Sequence, residues 1–271
     1  VPSIGQHARG WGRRKPAPAY KADPSDPINL GLQAFWVFNE GGGGVYRDSA
    51  GLDWDLTSGD SPPLWTVGPF GPCALYSNAA ASTTKLAPTN WNQLSVAFWV
   101  NLTASGLFPI VLEYNTSGAN FPQLFFSGSS GIFEVFATNN VGILVDGPSA
   151  TGKGWTFFAV TLDTVNASHM LYRAFPGETP SVVSTSNFAS LHIADPTTFS
   201  IATGFTGSLD LYRIWNRPIR PGEVSRLFRQ PLAGLRTGAP RRLNLSAPPP
   251  FGYCKLRVAR ASLPAGYPDS N

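Results

Sequence analysis

Chemistry needs particular side chains brought together. Cleaving a glycosidic bond takes two carboxylates flanking that bond. Glu113 and Glu134 sit in different strand-like runs, and no E-x-D-x-x-E-like cluster occurs. Both read as outward positions on alternating strands. GPSATGKG at 147–154 approaches the phosphate-binding pattern G-x-x-x-x-G-K-[ST]. It departs at Gly154, where a hydroxyl should meet magnesium. The next residues, WTFFAVTLD, read as a strand, whereas a phosphate cradle needs a helix N-terminus. The segment is expected to be a turn ahead of a core strand. His7, His169 and His192 are too scattered for a metal-ligand spacing, and no G-x-S-x-G nucleophile setting appears. The chain is therefore expected not to be an enzyme.

Binding chemistry is better represented, and it lies at the ends. RGWGRRK at 9–15 interleaves arginine with tryptophan. Such a mixture suits phosphate contacts with base stacking, or an acidic protein surface. The basic residues are few and prolines interrupt them, so protein docking is the expectation and nucleic acid is not. Residues 1–27 and 229–271 together hold twelve basic and three acidic side chains, against eight basic and thirteen acidic in 28–228. Arms of this charge seek acidic surfaces. The candidate arm residues are Arg9, Trp11, Arg13, Arg14, Lys15 and Tyr20 at one end, and Arg241, Arg242, Lys255, Arg257 and Arg260 at the other. Pro16, Pro18, Pro24 and Pro27 favour extended chain there.

Something must carry these arms. Ten runs rich in aromatic and β-branched residues, from LGLQAFWVF at 30–38 to GSLDLYRIW at 207–215, are separated by Gly, Asn, Pro and Ser clusters. Charged residues make up only 13% of the chain, while 28 glycines and 25 prolines punctuate it. That combination implies two packed antiparallel sheets rather than disorder or a helical bundle. In FTGSLDLYRIWNRPIRPGEVSRLF, Leu209, Leu211 and Arg213 should share one face of a strand, with Ser208, Asp210 and Tyr212 on the other. Pro218 should end that strand. Pro221 should start a helix whose apolar face is Val224, Leu227 and Phe228, packed on one edge of the sandwich. No run reads as a secretory h-region or approaches membrane-spanning length. Two cysteines do not make a disulfide scaffold. Cys73 and Cys254 are candidates for one bridge pinning the C-terminal arm, with two unpaired thiols as the alternative.

Four segments, in order, resemble one family. GLQAFWVFNEGGGGVYRDSAG is similar to the opening strand and Asp-Ser-x-Gly loop of the laminin G-like (concanavalin A-like) jelly rolls. LSVAFWVNL and GKGWTFFAVTLD resemble two of that family's core strands, and FTGSLDLYRIWNRPIRPGEVSRLF its last strand and terminal helix. The resemblance spans about 30–230 and neither arm. It implies an all-β, antiparallel two-sheet jelly-roll β-sandwich over 28–230, with one short C-terminal helix; the Pro-rich, basic composition of 1–27 and 231–271 adds an extended arm at each end. It also implies a structural calcium held through Asp48 and Asp210. The alternative roles are an Asx-type turn bond for Asp48 and an outward polar position for Asp210.

The expected function is that of a non-catalytic structural and interaction protein. Its arms would anchor to acidic surfaces of neighbouring subunits in a larger assembly, and its lectin-like sandwich would sit on a virion surface, most simply that of a virus or phage. The alternative is a secreted, extracellular lectin module that binds glycans. Neither reading includes membrane insertion.

Overall fold

The expected runs become strands. The computed structural model describes residues 20–58, 64–83, 92–104, 110–115, 123–126, 131–136, 142–146, 148–187 and 198–236, all within one unit, Val1–Thr237. In chain order the strands are β1 (Leu32–Trp36), β2 (Val45–Tyr46), β3 (Leu56–Ser58), β4 (Leu64–Gly68), β5 (Gly71–Thr83), β6 (Gln93–Leu102) and β7 (Ile110–Asn115). After these come β8 (Gln123–Phe126), β9 (Phe133–Phe136), β10 (Gly142–Val145), β11 (Thr156–Asp163), β12 (Ser168–Ala174), β13 (Ser181–Ser186) and β14 (Thr198–Trp215). The helix α1 spans Pro221–Arg229.

All pairings among these strands are antiparallel, in the order β10-β9-β8-β7-β14-β6-β11-β12-β13. The 18-residue β14 links two layers: its start pairs with β7, its end with β6, and β5 and β1 lie along its other side. Across the interior, Phe133 of β9 meets Phe98 of β6 and Phe158 of β11, with ring centroids 5.8 and 4.7 Å apart. This is the jelly-roll sandwich, two sheets around one aromatic core.

A second apolar layer lies on the outer face of β6, β11 and β12. Ala97, Trp99, Phe157, Ala159 and Tyr172 face outward there, yet all are buried. Phe228 of α1 stacks on Trp99, its centroid 5.4 Å away and the rings 17° apart, and Phe157 packs at its edge. Val224 and Leu227 complete the helix's apolar stripe. The helix thus covers a sheet face, not the sandwich edge expected of it. Every residue of β11 is buried because both of its faces are covered.

Strict alternation fails in β14. Leu209, Tyr212 and Ile214 point into the core, while Leu211 and Trp215 point to the outer layer. A register shift between Asp210 and Arg213 causes this, with Leu211 at φ 51°. Such a bulge inserts one residue and reverses the phase of every side chain after it. Leu209 and Leu211 therefore do not share a face, and Asp210 is buried rather than outward.

Candidate functional site

The residues before β1 and after β14 build a densely bonded surface. Trp215, the last residue of β14, donates its indole N–H to the carbonyl of Ile28 at 2.8 Å. Next along the chain, Arg217 reaches back to the Leu30 carbonyl at 2.5 Å and forks onto Glu223 at 2.9 and 2.6 Å. Glu223 also accepts the Arg220 N–H at 2.7 Å and so caps α1. From the last turn of α1, Arg226 grips Asp26 through two bonds of 2.7 and 2.6 Å. That bidentate hydrogen bond holds the Asp26 carboxyl below the usual carboxylate range.

Beyond α1 the chain turns through 231–234 and is held by a buried arginine. The Arg213 guanidinium donates to the carbonyls of Pro231 and Ala233 at 2.7 and 3.0 Å and lies 3.9 Å over the Phe35 ring. Burial pulls its pKa down to about 9, with Asp26 acting against burial, so it stays charged at neutral pH. Gly234, at φ 80°, is needed here: a Cβ would stand 2.6 Å from Asn29 Oδ1. Asn29 instead donates to the carbonyls of Asp23 and Gly234 at 2.8 and 2.7 Å. Ala22 and Leu235 then form an antiparallel bridge, and the Arg236 N–H donates to the Lys21 carbonyl at 3.1 Å. Residues 20–27 and 231–236 are integral to the body, so the boundaries expected at 27/28 and 230/231 fall inside one bonded layer. Sequence reading missed this layer, because prolines and charges there look like linker. The signal in the sequence was aromatic: Trp11 and Tyr20 would be wasted in a free linker.

Of the arm residues, Tyr20 is half-buried beside this layer, and Arg9, Trp11, Arg13, Arg14, Lys15, Arg241, Arg242, Lys255, Arg257 and Arg260 lie outside the described residues. Cys73 is buried on β5 and Cys254 lies outside the described residues.

Asp48 is the hub of a different loop. Its Oδ1 accepts the N–H groups of Phe35 and Ala50 at 3.0 and 2.8 Å, and its Oδ2 those of Leu52 and Trp54 at 3.0 and 3.4 Å. The bond to Ala50 is the Asx turn. Four donors fill the lone-pair directions of the carboxylate. Calcium needs those same oxygens, so Asp48 does not fit it as a ligand. Asp210 lies elsewhere, beside Gly68, Cys73 and Trp155 at the end of the β4–β5 hairpin. Among the described residues no three metal-ligating side chains gather.

Glu134 is half-buried on β9 and Glu113 lies on β7. The segment after Ser149 is a turn that leads into β11, Lys153 N–H donating to the Ala150 carbonyl at 3.2 Å. His169 is buried, its Nδ1 accepting the Asp163 N–H at 3.2 Å. His7 and His192 lie outside the described residues. No described helix is long and apolar enough to cross a membrane.

Residues 76–225, from β5 into α1, match the model of the concanavalin A-like lectin/glucanases superfamily. The chain belongs to that superfamily. No curated protein matches it. Among solved structures, 239 chains match, which marks a widespread architecture rather than one activity. Domain 4 of AbnA, an extracellular arabinanase of Geobacillus stearothermophilus, in complex with arabinotriose, is 18% identical with a TM-score of 0.57. That match covers 72% of this chain and 97% of the other. The binding domain of botulinum neurotoxin DC, in complex with rat synaptotagmin II, is 12% identical with a TM-score of 0.54. The binding domain of Paraclostridial Mosquitocidal Protein 1 is 10% identical with a TM-score of 0.55. Each of these two matches covers 74% of this chain and 52% of the other, so the chain spans about half the length of those toxin domains. At such identities the likeness is one of fold. The lectin-like fold is thus established, and its structural neighbours are mainly binding domains.

Proposed function

We propose that this chain is a non-catalytic interaction protein, a lectin-like sandwich anchored by two basic arms to a larger assembly such as the surface of a virus or phage particle. The bridge between Ala22 and Leu235 supports this reading most strongly. It brings the two ends of the body together, so both arms spring from one place. The four basic residues of 1–19 and the five of 237–271 belong to segments that start on either side of that bridge. Joined anchors act as one, because binding of the first holds the second at high effective concentration. A rigid tether shared by both arms serves that purpose, and the bonded layer of Asp26, Arg213, Arg217 and Arg226 supplies it. Sedimentation from the native source is the test. At low salt the protein should pellet with a large particle, and high salt should release it as the arm charges are screened. A monomer that stays in the supernatant at low salt refutes the proposal.

A second reading is a secreted carbohydrate-binding module. Family membership favours it, together with the arabinotriose complex of the arabinanase domain. Binding of the protein to a glycan array tests it, and no bound glycan at any salt concentration removes it.

A further inference from the structure

Along one side, among the described residues, the sandwich is closed by side chains instead of a strand ladder. There β10, the end of one layer, meets β12 and β13, the end of the other. Asp146 comes directly after β10, its N–H donating to the Phe133 carbonyl of β9 at 2.9 Å. Its carboxylate is buried, 1% exposed, and bonded to the Arg173 guanidinium of β12, itself 13% exposed and 4.2 Å over the Phe175 ring. Beside the pair, the Val145 N–H donates to Ser184 Oγ of β13 at 3.3 Å. The ion pair is incompletely bonded: Asp146 Oδ2 and Arg173 Nε are both buried and have no hydrogen-bond partner among the described residues. A buried pair of this kind stabilises weakly, since desolvation offsets much of the attraction. Apolar residues would close the edge more firmly.

We propose that Asp146 and Arg173 form a proton-sensitive clasp between the two layers, closed most firmly in acid and loosened as Asp146 ionises. Arg173 from β12 and Glu178 from the β12–β13 turn are the charged groups facing the carboxyl, Ser184 of β13 is neutral, and β9 adds Glu134, in register with Val145. Burial pushes the Asp146 carboxyl up to about 6, Arg173 acting against this and Glu178 with it. An opened edge would expose the carboxyl to water and return it toward the ordinary 3.8. The closed form therefore binds the proton more tightly, so acid favours closure. Opening grows as pH rises from about 4 through about 6 and is then constant.

Hydrogen exchange of the Val145 amide, whose bond to Ser184 crosses the edge, and of the neighbouring Asp146 amide in the full chain, from pH 4 to 8 and corrected for intrinsic rates, tests the clasp. Opening should be about tenfold or more greater at pH 7.5 than at pH 4, a factor of ten for each unit by which the two forms' pKa values differ. Asp146→Asn should flatten the profile. Ser184→Ala should raise opening at every pH and keep the slope. A flat profile in the wild-type protein overturns the proposal without any variant. So does a slope that persists in Asp146→Asn or disappears in Ser184→Ala.

Discussion

Arg226 and Asp26, 200 positions apart in sequence, are joined by two parallel hydrogen bonds of 2.7 and 2.6 Å. The contact ties the last helix to the segment ahead of the first strand. Its position makes the two ends of the described body one structural layer.

Breaking this contact should cost little at neutral pH and nothing in acid. The Arg226 side chain is 39% exposed, so solvent screens the pair, and Asp26→Asn should lower stability by about 1 kcal/mol at pH 7. Because the folded-state pKa of Asp26 is depressed, its stabilisation is present above the unfolded value, near 3.8, and lost as pH falls through the lower folded value. Urea unfolding of wild type and Asp26→Asn should thus differ at pH 7, and the difference should shrink as pH falls below the ordinary carboxylate value of 3.8.

Arg213 should matter more. Its removal leaves the carbonyls of Pro231 and Ala233 without their donor in a buried setting, at about 1–3 kcal/mol each. Arg213→Met is expected to destabilise the body by roughly 3 kcal/mol in urea unfolding and to open a protease site after Gln230. Lysine should rescue poorly, because one ammonium cannot reproduce the planar fork that meets two carbonyls while lying on the Phe35 ring.

Asp48 should prove structural and indifferent to calcium. Asp48→Asn replaces one acceptor oxygen by a donor that faces backbone N–H groups, at a cost of about 2 kcal/mol or more. Thermal melts of the wild-type protein in EDTA and in millimolar calcium should superimpose. A transition raised by calcium would contradict the saturation of that carboxylate.

Phe228 should decide whether α1 stays docked. Truncation to alanine removes a ring that stacks on Trp99 and meets Phe157 edge to face, and half-burial places the cost near the lower end of the usual Phe→Ala range, about 3 kcal/mol. Tryptophan emission should shift to the red as Trp99 is uncovered, before the β-sheet circular dichroism signal changes.

The sequence displayed some of these features openly and hid others. Runs such as LSVAFWVNL and WTFFAVTLD announced β6 and β11, because strands buried on both faces are continuously apolar. The proline corner after Trp215 announced α1. β5 went unseen: GPCALYSNAAAST is built from small residues, and its strand character comes from pairing with β14, β3 and β4. β13, SVVSTS, is a largely exposed edge and carries no aromatic signal. The bulge at Leu211 was invisible because alternation there looks perfect in letters, and only the register shows the extra residue. The Asx turn at Asp48 was foreseen as an alternative to calcium, whereas its four donors depend on residues up to thirteen positions away meeting in space.

Deleting the arms tests the central claim most directly. Proteins lacking 1–19, lacking 237–271, and lacking both should be compared with the full chain for sedimentation with particles from the native source. Each body should keep the full chain's thermal transition. Either deletion should weaken pelleting strongly, and the double deletion should abolish it at every salt concentration. Undiminished pelleting of a folded body without arms would contradict anchoring by the arms and move the search for the partner surface to the sandwich itself.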